Sequence, residues 1–172
     1  MSLFNVLIVS PWYPSGPIQF IAQAFEKMGC TVIRMGATYN DHMGVDWFPN
    51  VVIPEIEFPR QLSCWNLNTC VDKCVKLGYT PDLLLVSEED YQTDIVPTFK
   101  VPVVLWSFDG WSNCYKRRNL FQATVSFHNH PLGVRAEPQT KTPSGWIFMP
   151  GACAPWIHKN YTKERRGYDF AL

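Results

Sequence analysis

The amino-acid sequence predicts an α/β fold with a mainly parallel sheet. Short, continuous apolar runs, typical of strands that are covered on both faces, alternate along the chain with segments of helical periodicity. The first apolar run, a helical segment and a second run follow one another within about 30 residues, which is the length of a βαβ unit. Together these features favour a Rossmann-like, doubly wound sheet in three α/β/α layers, folded as a single domain.

The beginning of the chain predicts one strand–helix–strand unit. Residues 3–9 form an apolar run and predict the first strand. A turn-rich loop follows, and we expect Ser15 or Gly16 to cap the next helix. Gly29 predicts the end of that helix, and residues 31–34 predict the second strand. The apolar residues of the helix recur at a helical spacing: Ile18, Ile21, Phe25 and Met28.

The rest of the chain predicts more strands and one further helix. Residues 36–61 are expected to be irregular, because three prolines exclude a long helix there, although residues 51–53 are a candidate extra strand. A second helix is predicted from about residue 64 to residue 77, with Gly78 as its end. Its apolar stripe comprises Leu67, Cys70, Val71 and Cys74. Later apolar runs predict strands at residues 83–86, 101–108, 123–127 and 146–149.

The composition indicates a single globular domain and argues against some classes of partner. A chain of 172 residues with 47% hydrophobic and 17% charged residues is expected to form one domain with a sizeable core. The 15 basic residues are balanced by 15 acidic ones, which argues against a nucleic-acid or anionic-membrane partner. No apolar run is long enough to span a membrane. The six cysteines form no CxxC pair, so we expect reduced thiols and a cytoplasmic location.

Candidate site residues follow the predicted strands. Ligands of open α/β sheets bind outside the carboxyl ends of the strands, so polar and aromatic residues that follow several strands are expected to converge on one rim. After the first strand the candidates are Ser10, Trp12, Tyr13, Ser15 and Gly16, and after residues 83–86 they are Ser87, Glu88, Glu89, Asp90 and Tyr91. Asp109 and Trp111 follow residues 101–108, and His128 and His130 follow residues 123–127.

Several roles remain open for these candidates. Asp109 can act as a base or cap a following helix. Glu88 and Glu89 can bind sugar hydroxyls, and one can be a base, or they can be favourable charges at a helix N-terminus. His128 and His130 form an HxH pair for which no third metal ligand is identifiable by spacing, so a base, a phosphate contact or structural hydrogen bonds remain.

Several familiar motifs are missing from the sequence. No GxGxxG follows the first strand and no GxxxxGK[ST] occurs, so dinucleotide-binding and P-loop fingerprints are lacking. Residues 110–114 match half of a nucleophile elbow but lack its final glycine. We expect no metal and no cofactor.

Four stretches of the chain resemble glycosyltransferases of the GT-B fold, especially the CgeB-like spore-maturation group. They are the strand, loop and helix of residues 6–29, the PDLLLV strand of residues 81–86, the strand of residues 103–109 that ends in an Asp, and residues 148–158, which precede a Tyr-Asp-plus-apolar segment at residues 168–172. The resemblance covers nearly the whole chain. In the last motif, Ala154-Pro155 replaces the Asp that is typical of the group.

The resemblance implies a function and a domain organisation. Residues 1–167 would be a Rossmann-like, acceptor-side domain, and residues 168–172 the start of a truncated second domain or an edge strand. The chain would be the acceptor-binding half of an enzyme whose nucleotide-sugar donor is bound mainly by the missing C-terminal domain, and alone it would be nearly inactive. The alternative is a non-catalytic, Rossmann-like module that binds a ligand or a protein.

The resemblance also implies roles for the candidate residues. Asp109 or His128 would deprotonate the acceptor hydroxyl, and Glu88, Glu89 and Trp111 would position the acceptor. The loop of residues 10–16 would approach the donor phosphates. No metal is expected, because enzymes of this fold generally hold the diphosphate with helix dipoles and basic groups.

Overall fold

The structure is a computed structural model that describes residues 4–13, 16–39, 54–58, 65–87, 91–92, 98–107, 124–128 and 146–148. Within these ranges the chain forms two helices and nine strands, named here in chain order. They are β1 (Asn5–Val9), α1 (Pro17–Lys27), β2 (Thr31–Gly36), β3 (Ile56–Glu57), β4 (Trp65–Asn66), α2 (Leu67–Lys76), β5 (Leu83–Ser87), β6 (Tyr91–Gln92), β7 (Val103–Ser107), β8 (Val125–His128) and β9 (Trp146–Phe148).

Seven of these strands form one sheet in the order β3-β2-β1-β5-β7-β8-β9, and β4 and β6 form a separate pair. All six neighbouring pairs of the large sheet are parallel. The chain builds outward from β1 to β2 and β3, then crosses to the other side of β1 and adds β5, β7, β8 and β9. The predicted parallel, doubly wound sheet is therefore confirmed.

The sheet is covered on both faces because alternate strand residues point to opposite sides. On β1, Leu7 and Val9 belong to a buried cluster that includes residues of α2, whereas Val6 and Ile8 belong to a second cluster that includes residues of α1. All four are fully buried. Apolar residues on consecutive positions of one strand thus supply two cores, and the predicted three-layer arrangement is confirmed.

Each helix ends at a glycine. Gly29 and Gly78 follow α1 and α2 with φ angles of 88° and 87°, a left-handed backbone that glycine adopts without a steric penalty. At its start, α2 is capped by Asn66, whose side chain accepts a hydrogen bond from the Asn68 amide. Gly16 caps α1 without a side-chain bond, and Pro17 occupies its first turn. The two glycines therefore set where the chain turns from each helix toward the strand that follows it.

The predicted elements agree with the structure except in three places. Residues 36–61 were expected to be irregular, but Ile56 and Glu57 form β3 against the end of β2. Met28 was expected on the buried face of α1, yet it is 62% exposed because the helix has ended by that position. The pair β4–β6 was not predicted, and Trp65 and Asn66 form β4 where the second helix was expected to begin. The candidate strand at residues 51–53 lies outside the described residues. In the described part of the chain, no helix is long and apolar enough to cross a membrane.

Candidate binding site at the carboxyl edge of the sheet

The strand order places a topological switch point between β1 and β5, where a crevice is expected. The chain leaves β1 toward β2 on one side, and leaves β5 toward β7 on the other. Connections that diverge in this way from two adjacent parallel strands leave room between them at their carboxyl ends, which is where open α/β sheets bind ligands. We call this space the switch crevice: it is bounded by Ser10, directly after β1, and Ser87, the last residue of β5.

A pair of buried hydroxyls joins the two sides of the switch crevice. Ser10 and Ser87 are 1% and 4% exposed, and their Oγ atoms are hydrogen-bonded to each other. The Ser10 hydroxyl also donates to the Pro11 carbonyl, with 2.9 Å between Oγ and O. Because a hydroxyl carries one proton, both contacts of Ser10 are satisfied when Ser87 donates to Ser10 and Ser10 donates to Pro11. The proton of Ser10 is then directed into the protein.

The loop after β1 is held by backbone bonds to the segment after β2. The Trp12 amide donates to the Ala37 carbonyl and the Tyr39 amide donates to the Trp12 carbonyl, each over 2.8 Å, so the parallel pairing of β1 and β2 continues beyond both strands. The Trp12 ring is fully buried, and its indole N–H donates to the Met35 carbonyl at 3.1 Å. Ser10 and Trp12 therefore shape the loop from inside, and their predicted contact with a ligand stays a prediction.

Arg34 supports the same loop from the α1 face of the sheet. Its guanidinium carbon lies 5.9 Å from the centroid of the Trp12 ring. Its Nη2 lies 2.6 Å from a Glu26 carboxylate oxygen on α1, and its Nη1 lies 3.3 Å from a Glu55 oxygen ahead of β3. The Arg34 side chain is 15% exposed, so this cation is largely enclosed by its partners. It links α1, the chain before β3 and the loop after β1.

Replacing Arg34 with Met is expected to lower the free energy of unfolding by about 1 kcal/mol, because both carboxylate partners are more than a third exposed and solvent screens them. Urea denaturation at low and high salt measures this loss, which should shrink at high salt. Lys76→Met, which removes a cation from an exposed position, is the control. A loss that is equal in both variants would contradict the role given to Arg34.

Two tyrosine rings stack at the carboxyl edge, beside the switch crevice. The ring centroids of Tyr13 and Tyr39 are 4.8 Å apart with an interplanar angle of 22°, and both residues are partly exposed. Gly16 lies against Tyr13: its amide donates to the Tyr13 carbonyl at 3.0 Å, and a Cβ at position 16 would come within 3.3 Å of the Tyr13 Cβ. The structure thus brings together the predicted site residues Tyr13 and Gly16, and adds Tyr39.

A second aromatic position follows β5 along the chain. Tyr91, a predicted site residue, is in β6, which begins four residues after β5 ends. Its register partner is Trp65 in β4, directly ahead of α2. Since α2 connects the carboxyl end of β3 to the amino end of β5, the start of α2 and the pair β4–β6 belong to the carboxyl edge. Ser87 was among the candidates predicted from the sequence, whereas Trp65 and Tyr39 were not.

His128 is the last residue of β8, and its backbone partner in the sheet is Ser107, the last residue of β7. Its position is therefore at the carboxyl edge, as predicted. The catalytic candidate Asp109 follows Ser107 by two residues and lies outside the described residues. Six substrate-binding candidates also lie outside them: Ser15, Glu88, Glu89, Asp90, Trp111 and His130. Their predicted roles stay predictions.

The described carboxyl edge offers hydroxyls, aromatic rings and one carboxylate. The hydroxyl of Thr38, two residues beyond β2, donates to a carboxylate oxygen of Glu57, the last residue of β3, at 2.6 Å. Within the described ranges, no group of three or more His, Cys, Asp and Glu side chains could hold a metal ion. The described side chains suit an uncharged ligand with hydroxyl groups and apolar ring faces.

Comparisons with known proteins give this chain no family. No protein-family model, no curated protein and no solved structure matches it. The resemblance to GT-B glycosyltransferases therefore rests on the sequence motifs alone.

Proposed function

We propose that this chain is the acceptor-binding half of a nucleotide-sugar-dependent glycosyltransferase. One observation carries the proposal: the chain leaves the adjacent strands β1 and β5 in opposite directions, and the partly exposed rings of Tyr13 and Tyr39 and the buried hydroxyls of Ser10 and Ser87 lie at the carboxyl edge there. Small ligands of open α/β sheets bind in this position. The assignment of glycosyl transfer, rather than another reaction, is supported by the GT-B-like motifs at residues 6–29, 81–86, 103–109 and 148–158.

The proposed reaction needs a base beside the acceptor. In an inverting transfer, Asp109 or His128 removes the proton of the acceptor hydroxyl while its oxygen forms a bond to the anomeric carbon of the donor sugar. The bond between that carbon and the diphosphate oxygen breaks, and the nucleoside diphosphate leaves with the electron pair. The neighbouring ends of β7 and β8 support this choice, because Ser107 and His128 are paired in the sheet and Asp109 follows closely along the chain.

In the enzyme that joins this chain to a donor-binding domain, Asp109→Asn combined with His128→Ala is expected to lower sugar transfer by at least about 100-fold, which is the contribution of a general base. Transfer is measured as release of nucleoside diphosphate from UDP-, GDP- and dTDP-sugars with an acceptor mixture. Asp82→Asn is the matched control, since Asp82 binds the Asn5 amide at the opposite, amino edge of the sheet.

Transfer that persists in the double variant would remove both residues as catalytic candidates. A full-length protein that binds sugars but releases no nucleoside diphosphate from any donor would instead favour a non-catalytic binding module.

A further inference from the structure

We infer that the amino edge of the sheet docks onto an anionic lipid surface. This edge lies opposite the candidate site, so the inference goes beyond the proposed function and does not depend on it. Two properties of the described residues carry it: exposed apolar side chains gather at the amino edge, and lysines border them. The balance of 15 basic and 15 acidic residues argues against such a partner for the chain as a whole, but it leaves room for a local basic surface.

The large hydrophobic side chains that the described residues expose all lie at the amino edge. Both helices end there, because each leads into the start of a parallel strand. Met28 ends α1 and is 62% exposed, and at the end of α2 Val75, Leu77 and Tyr79 are 53%, 58% and 38% exposed. We call these four residues the amino-edge patch. Single exposed apolar residues are common on proteins, but their restriction to one edge indicates an interaction surface.

The two helix ends have the same backbone bond but differ in what they bury. The Cys30 amide donates to the Phe25 carbonyl at 3.0 Å, and the Tyr79 amide donates to the Cys74 carbonyl at 3.1 Å. A hydrophobic residue at this position commonly packs back against its own helix. Cys30 does so and is 7% exposed, whereas the equivalent Tyr79 keeps more than a third of its surface exposed. The end of α2 thus presents a ring that the end of α1 has no counterpart for.

Hydrogen bonds join the two helix ends into one surface. The Thr31 amide donates to the Phe4 carbonyl at 3.0 Å, and the Asn5 side-chain amide donates to the Thr80 carbonyl at 2.9 Å. Every residue of the amino-edge patch precedes Thr31 or Thr80 by at most five residues. Since α1 and α2 pack on opposite faces of the sheet, the patch extends from one helix layer to the other. A broad, flat partner can contact both layers at once.

Three exposed lysines border the amino-edge patch. Lys27 directly precedes Met28 in the last turn of α1, and Lys76 lies in the last turn of α2, between two patch residues. Lys100 is three residues ahead of β7, at the same edge. Its segment is held there by the Leu84 amide, which donates to the Pro102 carbonyl at 3.0 Å. Each of the three side chains is exposed, so its ammonium can approach a surface outside the protein.

The acidic side chains described near this edge offset the lysines only in part. The Asp82 carboxylate accepts a hydrogen bond from the Asn5 amide at 2.8 Å, and the Glu26 carboxylate is paired with Arg34 at 2.6 Å. Asp72 is exposed one turn farther back on α2. The lysines at the two helix ends also suit the negative ends of the helix dipoles. That interaction explains two of the charges, but it does not explain why large apolar side chains stand exposed beside them.

Exposed apolar side chains bordered by lysines suit a membrane interface. The apolar groups enter the boundary between headgroups and acyl chains, while the lysine stems lie along it and their ammonium groups meet anionic headgroups. A soluble anion would use the lysines alone, and an apolar protein surface would use the patch alone. Docking in this orientation leaves the carboxyl edge, with Tyr13 and Tyr39, directed toward solution.

Cosedimentation of the 172-residue chain with lipid vesicles tests the inference. The probes are vesicles of phosphatidylcholine alone and of phosphatidylcholine mixed with phosphatidylserine. We expect binding to the mixed vesicles to be at least about tenfold tighter at about 0.1 M salt, and to weaken as salt rises to about 0.5 M. Equal binding to both vesicles, or none to the mixed vesicles, would overturn the inference. Self-association of the chain through the patch, without vesicle binding, would overturn it as well and assign the patch to a second copy.

Charge variants identify the edge that binds. Lys27→Gln, Lys76→Gln and Lys100→Gln combined are expected to weaken binding to the mixed vesicles on the order of 100-fold, since each lysine near an anionic surface contributes about fivefold. Lys73→Gln is the matched control on the same helix, because its ammonium lies 4.3 Å from the centroid of the Phe58 ring, and it should change binding by less than about twofold. Unchanged binding by the triple variant would overturn the inference.

Apolar variants test the second half of the surface. Met28→Ser combined with Leu77→Ser is expected to weaken binding at least about tenfold, because it removes side chains that enter the interface. Tyr39→Ser, at the carboxyl edge, is the control and should bind as the unchanged chain does. Far-UV circular dichroism verifies that each variant is folded, which exposed substitutions should permit. Full binding by a folded double variant would show that the patch does not touch the lipid.

Discussion

Replacing Trp12 with Ala is expected to lower the free energy of unfolding by about 3–5 kcal/mol, the largest stability loss predicted here for a single side chain. The Trp12 ring is fully buried on the α1 face of the sheet, in a cluster with Val6, Ile8 and Ile18. Its removal leaves a cavity that the loop cannot close while the Trp12–Thr38 bridge holds the backbone in place. Urea denaturation followed by far-UV circular dichroism measures the loss.

Two control variants make this prediction specific. Trp12→Phe keeps most of the ring volume, and the Met35 carbonyl retains the Ser10 amide as a donor at 3.0 Å, so the expected loss is about 1–2 kcal/mol. Met28→Ala, at a position that is 62% exposed, should change stability by less than about 0.5 kcal/mol. A loss below about 1.5 kcal/mol for Trp12→Ala would show that the loop relaxes into the space and is not fixed by the β1–β2 pairing.

Stability is also expected to fall steeply in alkaline solution because of two buried thiols. Burial raises the pKa of Cys70 to about 12, with a further small increase from Cys74 that the Lys73 cation opposes. Burial raises the pKa of Cys74 to about 11. Both side chains are fully buried between α2 and the sheet. In the unfolded chain the same thiols ionise near their ordinary pKa of about 8.5.

The sign of the pH dependence follows from proton binding. Below about pH 8.5 both states hold the thiol protons and the thiols contribute no slope. Above it, the unfolded state releases protons that the folded state retains, so each thiol lowers stability by up to about 1.4 kcal/mol per pH unit. The fall continues until the folded pKa of each group is reached. Alkali therefore favours unfolding, and acid has no effect through these residues.

Urea denaturation between about pH 8 and pH 10.5 measures this slope against a variant with Cys70→Ala and Cys74→Ala. The variant is expected to be less stable at pH 8, because two buried sulfur atoms are lost, but to lose less stability as the pH rises. Parallel curves for the two proteins would contradict the prediction and show that α2 lets water reach the thiolates.

The elements of the fold were predictable where local periodicity and tertiary packing agree. The stripe Leu67, Cys70, Val71 and Cys74 is buried as its spacing indicates, and Gly29 and Gly78 end the helices through the positive φ that glycine permits. By contrast, Ile56 and Glu57 form a strand only because the end of β2 lies beside them. A pairing between segments about 20 residues apart leaves no periodic signal in so short a stretch.

The site was predictable only in part for a related reason. The rule that ligands bind at the carboxyl ends of strands identified Tyr13, Gly16, Tyr91 and His128 as edge residues. It also identified Ser87, but it missed Tyr39 because the loop after the second predicted strand was not considered as part of the site. The stacking of Tyr39 on Tyr13 depends on the register of β1 with β2, which only the folded sheet defines.

The bridge between Trp12 and Thr38 has a consequence for the energetics of recognition. Backbone amides on both sides of that bridge are already bonded in the free protein, over 2.8 Å to Ala37 and to Trp12. A segment restrained in this way has little conformational entropy left to lose when a small molecule arrives. If a ligand binds here as proposed, its affinity would depend chiefly on its fit to these preorganised residues.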